Sequence, residues 1–184
     1  RRSAASGAVA GRRRISDSLE AAARLHEEII SRRLDAAGLS IRVLYKPMQR
    51  MGGDFVKFAP VGHDCVALML ADVTGHGVPA ALMVNRINAR VETLMNEGAS
   101  PLVAARELSS FVATVFEGTG VLMSAFWAEF RSRGREIVWV GFGHPPALHV
   151  SPRGEISEFA SGTHLLGVND PLPSPDARTA PLSP

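Results

Sequence analysis

Gly52-Gly53-Asp54-Phe55, followed after a short apolar segment by Ala71-Asp72-Val73-Thr74-Gly75-His76-Gly77, is the stretch from which the architecture can be read. Residues 55–59 and 65–71 have the composition of strands, and Pro60-Val61-Gly62-His63-Asp64 between them that of a turn. Position 63 lies midway between Asp54 and Asp72. An antiparallel hairpin centred there sets the two aspartates opposite each other at its open end, with Cα atoms roughly 4.5–5.5 Å apart. Two carboxylates that close repel each other unless a cation lies between them. As hard oxygen ligands they suit Mg²⁺ or Mn²⁺. Two such ions sharing an aspartate can activate a water and clamp an in-line phosphoryl displacement whose product is inorganic phosphate.

On the near side of the hairpin, Gly52 and Gly53 free the backbone and leave room for a ligand beside Asp54. On the far side, Thr74-Gly75-His76-Gly77 leads into a helix with Pro79 in its first turn. Ala80, Val84, Ile87, Val91 and Leu94 or Met95 form its apolar stripe, and Gly98 lies near its end. The start of such a helix favours anions, which places a phosphate-attracting end beside the acids. His76 could donate a proton to a leaving alkoxide, but the turn offers it no evident orienting partner, and local hydrogen bonding is the simpler reading. His144, in Gly143-His144-Pro145-Pro146, reads more simply as a residue that fixes its loop.

A second helix begins at Ser100-Pro101 and buries Leu102, Ala105, Leu108, Val112 and Val115. Two hairpins follow, residues 121–131 with 135–142 and residues 147–150 with 155–159. Strands, two consecutive helices and strands again predict an α+β fold of antiparallel sheets with helices laid outside, rather than a parallel βαβ sheet.

The 184 residues amount to one domain, 46% hydrophobic and 21% charged. The formal charge of +2 misleads, because Arg1, Arg2, Arg12, Arg13 and Arg14 lie in an opening segment without acids; the remainder holds 15 basic against 18 acidic residues. That balance argues against a nucleic-acid surface. Residues 1–14 are expected to be a disordered basic linker, although a basic arm for nucleic acid or acidic lipid is the rival reading. Residues 15–38 are expected to hold an amphipathic helix capped by Ser16 or Asp17 and ended by Gly38. That helix could connect to an upstream sensor, pair two copies of the chain, or pack on the domain. The domain itself is expected over 39–169, and a proline-rich loop or tail over 170–184. One cysteine, Cys65, fits a reducing, cytoplasmic compartment, and no apolar run is long enough to span a membrane. The histidines form no zinc-spaced cluster with cysteine, and serine-hydrolase and P-loop motifs are absent.

Gly52-Gly53-Asp54-Phe55, the run from Ala71 through Val78-Pro79-Ala80-Ala81, Gly143-His144-Pro145-Pro146-Ala147-Leu148 and Leu166-Gly167 occur in this order over about residues 40–168. Together they resemble the bacterial PPM-type (PP2C-like) serine/threonine phosphatases of the SpoIIE and RsbU kind. The resemblance implies an αββα four-layer sandwich, with Asp54, Asp72 and the Val73 backbone carbonyl among the ligands of two Mn²⁺ or Mg²⁺ ions. It implies hydrolysis of phosphoserine or phosphothreonine by metal-activated water, on a phosphoprotein such as an anti-anti-sigma (STAS-type) partner, under an upstream sensor. Further ligands of the family lie in Asp-Gly motifs expected beyond Pro184, so the domain is expected to be truncated at its C-terminus. A catalytically inactive interaction module of the same fold is the alternative. Lys57 stands where many relatives carry an acid, and could pair with phosphate or weaken metal affinity; Ser124 stands where Thr is usual, and Gly141-Phe142 where Asn-Ala is common.

Overall fold

Asp54–Pro60 (β3) and Cys65–Val73 (β4) form the expected hairpin in a computed structural model that describes residues 2–47, 51–168 and 176–182. The register runs from Asp54 opposite Asp72 to Pro60 opposite Val66, so the aspartates are cross-strand partners. The hairpin extends into a five-stranded sheet ordered β3-β4-β5-β6-β9, antiparallel throughout, with β5 at Met123–Arg131, β6 at Glu136–Phe142 and β9 at Arg178–Pro181.

Alternation along the strands sends residues to two faces. Phe55, Met69, Ala71, Val73, Met123, Ala125 and Trp127 enter the main core with two helices, α2 (Gly77–Asn96) and α3 (Pro101–Val115). α2 buries Ala80, Ala81, Val84, Ile87, Val91, Leu94 and Met95, and α3 buries Ala104, Ala105, Leu108 and Val112. The Ser100 side chain caps α3 by accepting from the Val103 N–H at 3.5 Å, ahead of Pro101 in the first turn. On the opposite face Phe126, Ala128, Ile137 and Trp139 form a smaller core. It is closed by Phe159 from the hairpin of β7 (Ala147–Val150) and β8 (Ile156–Phe159), with the Phe159 ring centroid 4.7 Å from that of Trp139. Among the described residues β7 and β8 form a separate two-stranded sheet. The antiparallel sheet with helices laid on it is the expected α+β architecture.

Three local expectations fail. Residues 1–14 were to be unstructured and a helix was to fill 15–38, but one helix, α1, runs Arg2–Ile29. Ala4, Ala5, Ala8, Ala10 and the arginines are good helix formers, and that local propensity outweighs the linker-like composition. Past its end, Arg33–Ala36 (β1) and Leu39–Arg42 (β2) pair through a two-residue turn with positive φ at both Ala37 and Gly38, so Gly38 turns a hairpin rather than ending a helix. Asp35 binds Arg33, Ser40 and Arg42 across it. The Ser31 N–H donates to the Val56 carbonyl and the Ser31 hydroxyl accepts from the Phe58 N–H, which covers part of the outer edge of β3. The third failure is at the other end: of the loop or tail expected over 170–184, residues 170–175 and 183–184 lie outside the described residues, and β9 forms within the remainder. There the strand is only four residues long, lies at the sheet's edge and reaches Pro181 at its last position, where a missing N–H is tolerated.

Candidate metal centre

The site lies where β3, β4 and β5 end together. Asp54 is opposite Asp72, and Asp72 is opposite Ser124, so three oxygen-bearing side chains stand in a row on the face away from α2 and α3. Burial and the neighbouring Asp72 carboxylate push the Asp54 carboxyl above its ordinary range, and a hydrogen bond between the two carboxyls, which needs a shared proton, pushes it the same way. The donor set is all oxygen and suits a hard divalent ion.

Gly53 explains how the backbone joins the pair. A Cβ at that position would lie 1.9 Å from the Val73 carbonyl oxygen, so only glycine lets this carbonyl approach the chain beside Asp54. The contact is closed by the Val73 N–H, which donates to the Gly53 carbonyl at 3.1 Å. Gly75 and Gly77 hold φ of 106° and 71°, and these left-handed residues swing the chain from β4 into α2. His76 is the N-cap of α2, exposed, and its side chain makes no capping hydrogen bond. It does line a cleft of about 180 Å³ with Tyr45, Pro47, Met51, Gly52, Gly53, Asp54, Asp72 and Gly75.

Sequence reasoning passed over Tyr45 and read His144 only as a residue that fixes its loop. Tyr45 walls the cleft, its hydroxyl pushed up by burial and by Asp54, and the Arg32 guanidinium lies 5.4 Å from its ring centroid. The loop histidine His144 sits beside the acids: it is electrostatically coupled to both Asp54 and Asp72, and its Nδ1 is 2.8 Å from the Ser124 hydroxyl. The Gly-His-Pro-Pro motif was the available signal, but its loop folds back over the sheet through contacts distant in sequence. Lys57, by contrast, faces away. It points to the helix side of β3 and pairs with Glu92 of α2, whose carboxyl that bond holds below its ordinary range, so it serves neither as a phosphate ligand nor as a neighbour of the acids. Among the described residues no group of three or more His, Cys, Asp or Glu side chains is arranged to hold a metal ion, and no helix is long and apolar enough to cross a membrane.

Comparison with known proteins agrees with this geometry. The chain is 23% identical over 140 residues to phosphoserine phosphatase RsbU of Bacillus subtilis, covering 76% of this chain and 41% of that protein. It is 24% identical over 157 residues to phosphoserine phosphatase RsbP of the same organism, covering 83% of this chain and 37% of that one. The chain thus spans about two fifths of the length of these curated relatives. Among solved structures, the SiaA PP2C domain of Pseudomonas aeruginosa superposes with a TM-score of 0.76 at 22% identity, covering 95% of this chain and 70% of that one, which establishes a PP2C-like fold. Residues 62–184, about two thirds of the chain, match the family model described as stage II sporulation protein E, and the chain therefore belongs to the SpoIIE family of PPM-type phosphatases.

Proposed function

We propose that this domain is a Mg²⁺- or Mn²⁺-dependent phosphoprotein phosphatase in which Asp54, Asp72 and the Val73 carbonyl hold the metal centre. The observation that carries the reading is the cross-strand pairing of Asp54 with Asp72, where burial and the neighbouring carboxylate leave Asp54 reluctant to ionise. When bound, the ions supply the Lewis acidity that activates a water for attack on phosphorus. The protein's own part is positional. Asp54 and Asp72 fix the anionic oxygens at the end of a rigid sheet, Gly53 admits the Val73 carbonyl, and the start of α2 attracts the phosphate through its free N–H groups and dipole. His76, without an orienting hydrogen bond, remains a cleft residue with no assigned step.

The substrate is a phosphoserine or phosphothreonine protein, a choice supported by the phosphoserine phosphatases the chain resembles, with an anti-anti-sigma protein as the partner class. Hydrolysis of an aryl phosphate and of a phosphoserine peptide, each with and without Mn²⁺, tests the reading. Asp72→Asn is expected to reduce Mn²⁺-dependent turnover by roughly 10²-fold or more while leaving the circular dichroism spectrum unchanged; undiminished turnover in that variant would contradict it. That no third carboxylate joins the pair among the described residues favours one rival, a binding module that hydrolyses nothing. A folded chain inert towards both substrates in Mn²⁺ is the result that rival requires.

A further inference from the structure

We propose that His144, oriented by Ser124, binds the phosphoryl group as a hydrogen-bond donor through Nε2–H. The inference rests on the phosphatase reading and assigns a residue of that same site.

Placement is the first ground. The β4–β5 register sets Ser124 beside Asp72, and the Ser124 hydroxyl lies 2.8 Å from His144 Nδ1. Asp72 is in turn opposite Asp54, so the ring that Ser124 holds lies at the same end of the sheet as the two acids. His76, the other histidine at the site, has no such orienting bond.

The second ground is how firmly the backbone that carries the ring is held. The His144 N–H donates to the Ser161 hydroxyl at 3.0 Å, and the same hydroxyl donates to the His144 carbonyl at 2.6 Å. The neighbouring backbone is pinned as well. The Gly143 N–H donates to the Thr163 carbonyl, and the Thr163 hydroxyl donates to the Gly141 carbonyl. A Cβ on Gly141 would lie 2.7 Å from the Ser161 Cα, and Gly143 has φ of 54°, so glycines are needed for this loop to close on Ser161. Such clamping exceeds what a surface loop requires and suits a side chain that must be aimed.

The partner can select the tautomer. The Ser124 hydroxyl can donate to Nδ1, and in that arrangement the ring proton resides on Nε2. An N–H donor there stabilises a phosphoryl oxygen. Nε2 has no hydrogen-bond partner among the described residues and is free for that role.

The test uses the chain labelled with ¹⁵N at histidine, in Mg²⁺, with inorganic phosphate as the probe. The expected result is an Nε2–H tautomer at His144 and a saturable shift of its ring signals on adding phosphate. By calorimetry, His144→Ala should weaken phosphate binding about tenfold with the Tm unchanged, and His144→Gln, which restores a donor, should recover part of it. On a phosphoserine peptide His144→Ala should lower kcat/KM roughly 10²-fold. If His144→Ala fails to fold, Ser124→Ala supplies the test, since it should mix the tautomers and weaken phosphate binding in an otherwise native chain. An Nδ1–H tautomer, a ring unmoved by phosphate, or unaltered phosphate affinity in His144→Ala accompanied by a lower Tm would overturn the proposal, the last showing a loop anchor only. Absent hydrolysis with a phosphate-responsive His144 would sink the phosphatase reading alone; hydrolysis with an unresponsive ring would sink this proposal alone.

Discussion

At the scale of the residue, the site depends on two opposite requirements at neighbouring positions. Gly53 must have no side chain, because a Cβ would lie 1.9 Å from the Val73 oxygen. Gly53→Ala therefore has to displace either β3 or the Val73 carbonyl. A cost of about 1–3 kcal/mol is expected in thermal or urea unfolding, as for other forced overpacking, together with weakened Mn²⁺ binding. Asp54 must keep a charge it is reluctant to carry. Its carboxyl titrates above its unfolded value, so the folded state holds the proton more tightly and stability falls as pH rises from the unfolded value through the folded one. In EDTA, Asp54→Asn should raise the Tm at pH 7 and lose that advantage near pH 3, where the carboxyl is protonated in both states; paired melting curves check this. The aspartate pairing was legible in the sequence because it depends only on one hairpin's centre. Tyr45 and His144 were not, because each reaches the acids across segments whose course is set by tertiary packing.

At the scale of the element, the strands around the site and the two covering helices follow from periodicity, caps and turns, as Ser100-Pro101 at the start of α3 shows. The ends of the chain do not. Linker-like composition concealed the helical propensity of residues 2–14, and Ala37-Gly38 looked like a helix terminus although it turns a hairpin. α1 ends by burying His26, whose ring nitrogens form no well-aligned hydrogen bond although the Gly52 backbone lies beside it. Burial lowers its affinity for a proton, so the unfolded chain takes up a proton that the folded chain refuses. Stability contributed by the neutral ring is present above the ordinary histidine value and is lost as pH falls through it. The Tm of the wild type should drop between pH 7.5 and 5.5 by more than that of His26→Leu; equal drops would place the sensitivity elsewhere.

At the scale of the molecule, one antiparallel sheet carries its apolar side chains into a helix-covered core and its acids to the opposite face at one end of three adjacent strands. The rigid core thus fixes the spacing of the carboxylates without taking part in the chemistry, and mutations in the α2–α3 layer should act on stability before activity. Fold class and the location of the acids were readable because strand order here follows chain order through β6. The final edge strand was hidden by prolines that an edge tolerates. The most direct measurement of the central claim is a calorimetric titration of Mn²⁺ into the folded chain beside Asp54→Asn and Asp72→Asn. The account predicts saturable binding by the wild type, weakened at least roughly tenfold by either substitution, since each removes one anionic ligand. Binding of equal strength in all three proteins would contradict it.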